Sequence, residues 1–152
     1  MSIVLNATLT VKSPVFADSG PIPAKYTCDG SNVSPELHII NTPPETKSLA
    51  LIVDDPDAPG GTFVHWVMWN IPPAEIIKEN TAPGIQGRNG KNENKYYGPC
   101  PPKGTHHYHF HIYALDTKLD IPTKTDKQAL LLAMEGHIIA SGELMGTYKK
   151  AK

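Results

Sequence analysis

The sequence predicts a mainly β domain, a β-sandwich with one or two peripheral helices. Three observations carry that reading. Six runs of residues have the length and patterning of strands. Fifteen prolines and twelve glycines punctuate the chain and leave little room for helix. Only one stretch, around Leu130, carries an apolar stripe at helical spacing.

The elements follow in order. Residues 3–11 alternate, with Leu5, Ala7, Leu9 and Val11 opposite Asn6, Thr8, Thr10 and Lys12, as in a half-buried strand. Residues 13–29 read as loop, with Pro14, Gly20, Pro21 and Pro23, and residues 28–32 as a turn. A short strand over 37–40 ends at Thr42-Pro43-Pro44. The central feature is the uninterrupted apolar run 49–53, Leu-Ala-Leu-Ile-Val, which predicts a strand buried on both faces and extending to Asp55. It breaks into Asp54-Asp55-Pro56-Asp57-Ala58-Pro59, an acidic, proline-stiffened rim. A second long strand, 63–69, carries His65 back towards that rim.

Residues 75–80 suggest one turn of helix, and the polar stretch 81–94, with Asn89-Gly90, a surface loop. Over 106–115 the alternation predicts a strand. Its His106, Tyr108, Phe110 and Ile112 face inward, and His107, His109, His111 and Tyr113 face outward. Thr123-x-x-Asp126 is a helix-start signal ahead of Ala129, Leu130, Ala133 and Met134, with Leu131 and Leu132 widening the stripe. Gly136 suits the C-cap, and 138–148 reads as a last strand.

The length of 152 residues fits a single domain, 1–152. Fourteen basic against fifteen acidic residues give a net charge of −1, which argues against a general nucleic-acid binder. Lys149-Lys150-Ala151-Lys152 is read as a solvated tail. No secretory leader pattern is visible, and no run approaches the ~18 apolar residues of a membrane span, so a cytoplasmic location is expected. Cys28 and Cys100, far apart in such a chain, make a poor disulfide framework and are read as two free thiols, with pairing between them as the alternative.

Asp55 and Asp57 point to one side if their segment is extended. His65, inside an apolar strand, needs a partner, and His106 is the candidate. The chain resembles the phosphatidylethanolamine-binding protein family, also called the Raf kinase inhibitor protein family, in its short prokaryotic branch. The matching features are Asp55-Pro56-Asp57-Ala58-Pro59, His65 ahead of Asn70, Tyr97-Gly98 with Pro101-Pro102-Lys103-Gly104, His106-x-Tyr108, and the ending from Met134-Glu135-Gly136-His137 to Gly146-Thr147-Tyr148. The resemblance implies a Greek-key sandwich of two sheets and a non-enzymatic binding protein without a cofactor. It implies a small anion pocket for a phosphate ester or phospholipid head group, lined by Asp55, His65, His106 and Tyr108. Gly98, Pro101 and Pro102 border that pocket, and Asp57 supports its rim. It further implies inhibition of a protein target, a kinase or serine protease, and a homodimer.

One departure stands out. Where the family has an arginine that buttresses the acidic loop, this chain has His107. With no Lys or Arg in the expected lining, protonated His65 and His106 are the expected source of positive charge. The opposing reading is a hydrolase. It would use a metal on His107, His109 and His111, or Cys100 as nucleophile with His106 and Asp55. Adjacent ligands on one strand face lie ~7 Å apart, so three would converge on one ion only if the strand bent.

Overall fold

The structure, a computed structural model, describes residues 7–150. The expected first strand breaks at Leu9 into β1 (Ala7–Thr8) and β2 (Thr10–Lys12), which join different sheets. Leu5 and the end of the basic tail lie outside the described residues. There follow β3 (Gly20–Pro21), a single 3-10 turn (Ala24–Tyr26), β4 (Leu37–Ile40), β5 (Ser48–Asp55) and β6 (Phe63–Ile71). Then come β7 (Ile76–Ile77), β8 (Ile85–Gln86), β9 (Thr105–Leu115), α1 (Lys127–Met134) and β10 (Ile138–Lys149).

The larger sheet runs β1-β10-β9-β5-β6-β8, with β3 also on β10, and the smaller one runs β2-β4-β7. β5 and β6 form an antiparallel pair, and β9 returns to lie on the far side of β5, a Greek-key crossing. Between the sheets sits a core that includes Leu37, Ile39, Leu51, Val53, Met68, Phe110 and Ile112. The helix covers the other face of the larger sheet, where Leu130 and Met134 meet Ala50, Ile52, Val67 and Trp69.

These two layers explain the apolar run. Leu49, Leu51 and Val53 face the inter-sheet core, Ala50 and Ile52 face the helix, and all eight residues of β5 are buried. The alternation carries on into the carboxylates. Asp55 continues the row of Leu51 and Val53, and Asp54 that of Ile52.

Local corrections have local causes. Ile76 and Ile77 form no helical turn; they pair with His38 and Leu37 as the edge of the small sheet. The 81–94 stretch is not wholly loop, because Ile85 and Gln86 pair with Trp69 and Met68. The helix starts one signal later than expected. Asp126 itself is the N-cap and accepts from the Ala129 amide at 3.0 Å. Leu132 is exposed, so the buried stripe is narrower than the sequence suggests. Gly136, at φ 80°, takes the left-handed position expected of it.

The cysteines are a larger correction. Cys28 and Cys100 are not free thiols; they form a disulfide with Cα atoms 5.4 Å apart. It joins the segment after the 3-10 turn to the loop that leads into β9. No described helix is long and apolar enough to cross a membrane.

Candidate functional site

The ends of β5, β6 and β9 enclose a cavity of about 240 Å³. The strands contribute Asp55, Phe63, His65, His106 and Tyr108. Tyr97, Cys100, Pro101 and Pro102 close one side, and Ala58, Pro59 and Lys91 another. Inward-facing positions of β9 bring His106 and Tyr108 here for the reason the alternation gives, since the same face continues as Phe110 and Ile112 in the core.

Asp55 and His106 form a buried pair. His106 Nδ1 donates to Asp55 Oδ2 at 2.6 Å, and Asp55 Oδ1 accepts the Asp57 amide at 2.8 Å. Each carboxylate oxygen therefore has a partner within the protein. The Nδ1 bond fixes the His106 ring, and Nε2 has no partner among the described residues.

His65 is held differently. Its Nδ1 lies 2.5 Å from the Tyr97 carbonyl, which can only accept, so that nitrogen carries the proton. Phe63 and Tyr108 meet its ring edge-on, at centroid distances of 4.8 and 5.2 Å. Burial pushes the imidazole below its ordinary pKa, and the Tyr97 bond and the Asp55 charge do not offset it. His65 is thus a neutral ring at neutral pH, which removes it as a source of positive charge.

The Tyr108 hydroxyl is buried and, like Thr42 Oγ1, Thr46 Oγ1 and Trp69 Nε1, has no hydrogen-bond partner among the described residues; of these four side chains, that of Tyr108 lines this cavity. Burial, followed by the nearby Asp55 charge, raises its pKa, so the phenol keeps its proton and remains a donor. An unpaired buried hydroxyl costs roughly 1–3 kcal/mol.

Sequence reasoning missed Lys91, which lines the cavity, with Nζ 5.6 Å from the Tyr97 ring centroid. It belongs to the stretch read as surface loop. That loop is laced down by the buried side chain of Asn89, which accepts from the Lys91 amide at 2.8 Å and donates to the Lys95 carbonyl at 2.8 Å. The Gly90 amide adds a bond to the Val64 carbonyl at 2.7 Å.

Asp57, expected to support the rim, and Gly98, expected at the border, do not line the cavity. Asp57 does not share a side with Asp55, because residues 55–57 turn instead of running extended. Asp57 reaches the outer face, where its Oδ2 accepts from the His107 amide at 2.9 Å and from His107 Nδ1 at 2.6 Å. The His107 bond holds the Asp57 carboxyl below the usual range. His107 thus makes the contact with the acidic turn that the resemblance assigned to an arginine. Gly98 packs behind the wall. A Cβ there would lie 2.1 Å from Asn32 Oδ1 and 2.6 Å from the Tyr26 carbonyl, so no larger residue fits.

The outer face holds ion pairs. His109 Nδ1 is 2.6 Å from Glu143, and His111 Nε2 is 3.1 Å from Asp54. Lys127 Nζ reaches the other Asp54 oxygen at 2.7 Å. Burial works to raise the Asp54 pKa, but the His111 and Lys127 bonds outweigh it. Among the described residues, no three His, Cys, Asp or Glu side chains converge to hold a metal ion. A larger hollow of about 370 Å³ lies between Arg88 and the start of α1. There Lys127 is committed to Asp54 and Asp126 to its cap.

Residues 12–149 match the family model described as phosphatidylethanolamine-binding protein. A UPF0098 protein of Pyrococcus abyssi is 50% identical over 149 residues, spanning 91% of this chain and 84% of that protein. One from Methanothermobacter thermautotrophicus is 45% identical over 150 residues, spanning 93% and 99%. Among solved structures, a phosphatidylethanolamine-binding protein homologue of Chlamydia trachomatis superposes with a TM-score of 0.92 at 42% identity, over 96% of this chain and 100% of that one. E. coli YbcL, described as a member of the mammalian family, gives 0.86 at 29% identity, over 95% and 100%. With the matched residues running from β2 to the end of β10, the chain belongs to the phosphatidylethanolamine-binding protein family.

Proposed function

We propose that this chain is a non-enzymatic binding protein whose cavity takes a small anionic group, a phosphate ester or a phospholipid head group. The Tyr108 side chain carries the reading, because it lines the cavity and its buried hydroxyl, a donor, has no protein partner among the described residues. Lys91 supplies a charge, and His106 supplies a second when protonated. At about 240 Å³ the cavity is below the roughly 300–1,000 Å³ of sites for drug-sized ligands, which favours a head group over a whole lipid. Regulation of a kinase or serine protease through the exposed rim, pairing with a second copy, and a cytoplasmic location are parts of the same proposal.

The hydrolase alternative loses support on two counts. Cys100 is bonded to Cys28 and offers no thiolate. The outer histidines are each held by a carboxylate.

Calorimetric titration of sulfate at constant pH and ionic strength tests the reading. His106→Ala and Lys91→Ala should each weaken sulfate binding about tenfold or more, since hydrogen bonds to charged groups contribute roughly 1.5–3 kcal/mol. A wild-type protein that does not bind sulfate, or variants that bind it as tightly as wild type, would overturn the reading.

A further inference from the structure

One end of the Cys28–Cys100 disulfide lies in the wall of the cavity, where Cys100 stands next to Pro101 and Pro102. Before Cys100 the loop is held to the 26–32 segment by three hydrogen bonds. The Tyr96 hydroxyl donates to the Tyr26 carbonyl at 2.7 Å, and the Gly98 amide to Asn32 Oδ1 at 3.0 Å. The Cys28 amide donates to the Pro99 carbonyl at 3.1 Å.

After Cys100 the anchoring changes. Among the described residues, 101–104 make no hydrogen bond to the body of the protein. The chain is next fixed at Thr105, which pairs with Lys149. The disulfide is the last tether before the stretch that forms the proline wall. It is also within reach of solvent, because Cys28 is exposed while Cys100 is half-buried.

We infer that the Cys28–Cys100 bond is a redox switch on the pocket: oxidised, it holds the 101–104 wall against the cavity, and reduced, it frees that wall and weakens anion binding. This rests on the anion-binding reading above. The chemistry is thiol–disulfide exchange with a small dithiol. One thiolate of the dithiol attacks the sulfur of Cys28, the more exposed residue of the pair, the S–S bond breaks, and Cys100 leaves as a thiolate that takes up a proton. The second sulfur of the dithiol then displaces Cys28, closing a cyclic disulfide. Two electrons pass to the protein and the dithiol is oxidised. Linkage makes the effect reciprocal, so an anion that prefers the oxidised form makes the bond harder to reduce by the same factor.

The test is calorimetric titration of sulfate into the oxidised protein, the protein in dithiothreitol, and a Cys28→Ser variant. Near-ultraviolet circular dichroism reports that each is folded. Sulfate should bind the oxidised protein about fivefold or more tightly than the other two, the lower end of ordinary coupling. A second measurement needs no variant and no reduced stock. The dithiothreitol concentration that half-reduces the wild-type protein, read by alkylation and mass spectrometry, should rise when sulfate replaces chloride at equal ionic strength. Equal sulfate affinity in both redox states, with an unmoved reduction midpoint, would overturn the switch and leave the pocket reading intact. Absence of sulfate binding in the oxidised protein would overturn the pocket reading and the switch with it.

Discussion

His106 Nδ1 and Asp55 Oδ2 are 2.6 Å apart, and their side chains are only 8% and 4% exposed. The pair closes the end of the central strand against β9 and fixes one of the two imidazoles that line the cavity, the other being His65. Its burial sets the consequence of breaking it. His106→Leu leaves the Asp55 carboxylate inside the protein with the Asp57 amide as its remaining partner. The expected loss is about 3 kcal/mol in urea unfolding at neutral pH, the usual result of orphaning a buried charge. Adding Asp55→Leu should recover part of it. A loss below about 1 kcal/mol would mean that the pair is effectively solvated.

His65 makes stability depend on acid. In the unfolded chain its imidazole takes up a proton near ~6.5. The folded ring resists, because burial lowers its pKa. Below that value the unfolded state binds more protons, so stability falls as the pH drops from about 7 towards 5, by up to ~1.4 kcal/mol per unit from this one group. Asp54 and Asp57, whose pKa values are lowered, contribute stability that is lost only at more acid pH, through the carboxylate range. His65→Asn keeps a donor for the Tyr97 carbonyl and removes the titration. It should be less stable at pH 8, on the order of 1 kcal/mol, and flatter between about pH 7 and 5. Urea unfolding across that range decides, and parallel curves for the two proteins would refute the assignment.

The disulfide spans 72 positions, so it constrains the unfolded chain strongly. Chain entropy for a loop of that size amounts to about 4 kcal/mol. Cys28→Ser with Cys100→Ser should lower the unfolding free energy by about 2–4 kcal/mol. A domain of ordinary stability, about 5–15 kcal/mol, stays folded after that loss. A change below about 1 kcal/mol would show that the bond holds segments already ordered in the unfolded state.

What the sequence disclosed follows from the range of the interactions. The doubly buried strand was legible in 49–53 because both its faces are apolar, and the inward set of β9 because its period is two. Those patterns also put His106 and Tyr108 at the cavity. Two-residue strands such as Ile76–Ile77 are too short to leave a period, so pairing overrides the local signal. The separation of Asp55 and Asp57 depends on a turn that the residue spacing does not fix. Lys91 could not be placed, because its position depends on Asn89 bonding across its own loop and on the Gly90 amide tying that loop to β6. The cysteine pairing has no local signature at all, and the expectation of free thiols rested on the separation of the two residues.

Tyr108→Phe tests the central claim most directly. The substitution removes one buried, unpartnered hydroxyl and keeps the ring that packs against His65 and His106. Stability should hold or rise, because no hydrogen bond of the free protein is lost. Sulfate affinity should fall by about tenfold or more, since hydrogen bonds to charged groups contribute roughly 1.5–3 kcal/mol. The measurement is calorimetric titration of sulfate into wild type and variant at the same pH and ionic strength. A weaker variant of equal or greater stability is the result expected of an anion pocket. Unchanged affinity, or sulfate binding absent from the wild type, would contradict it.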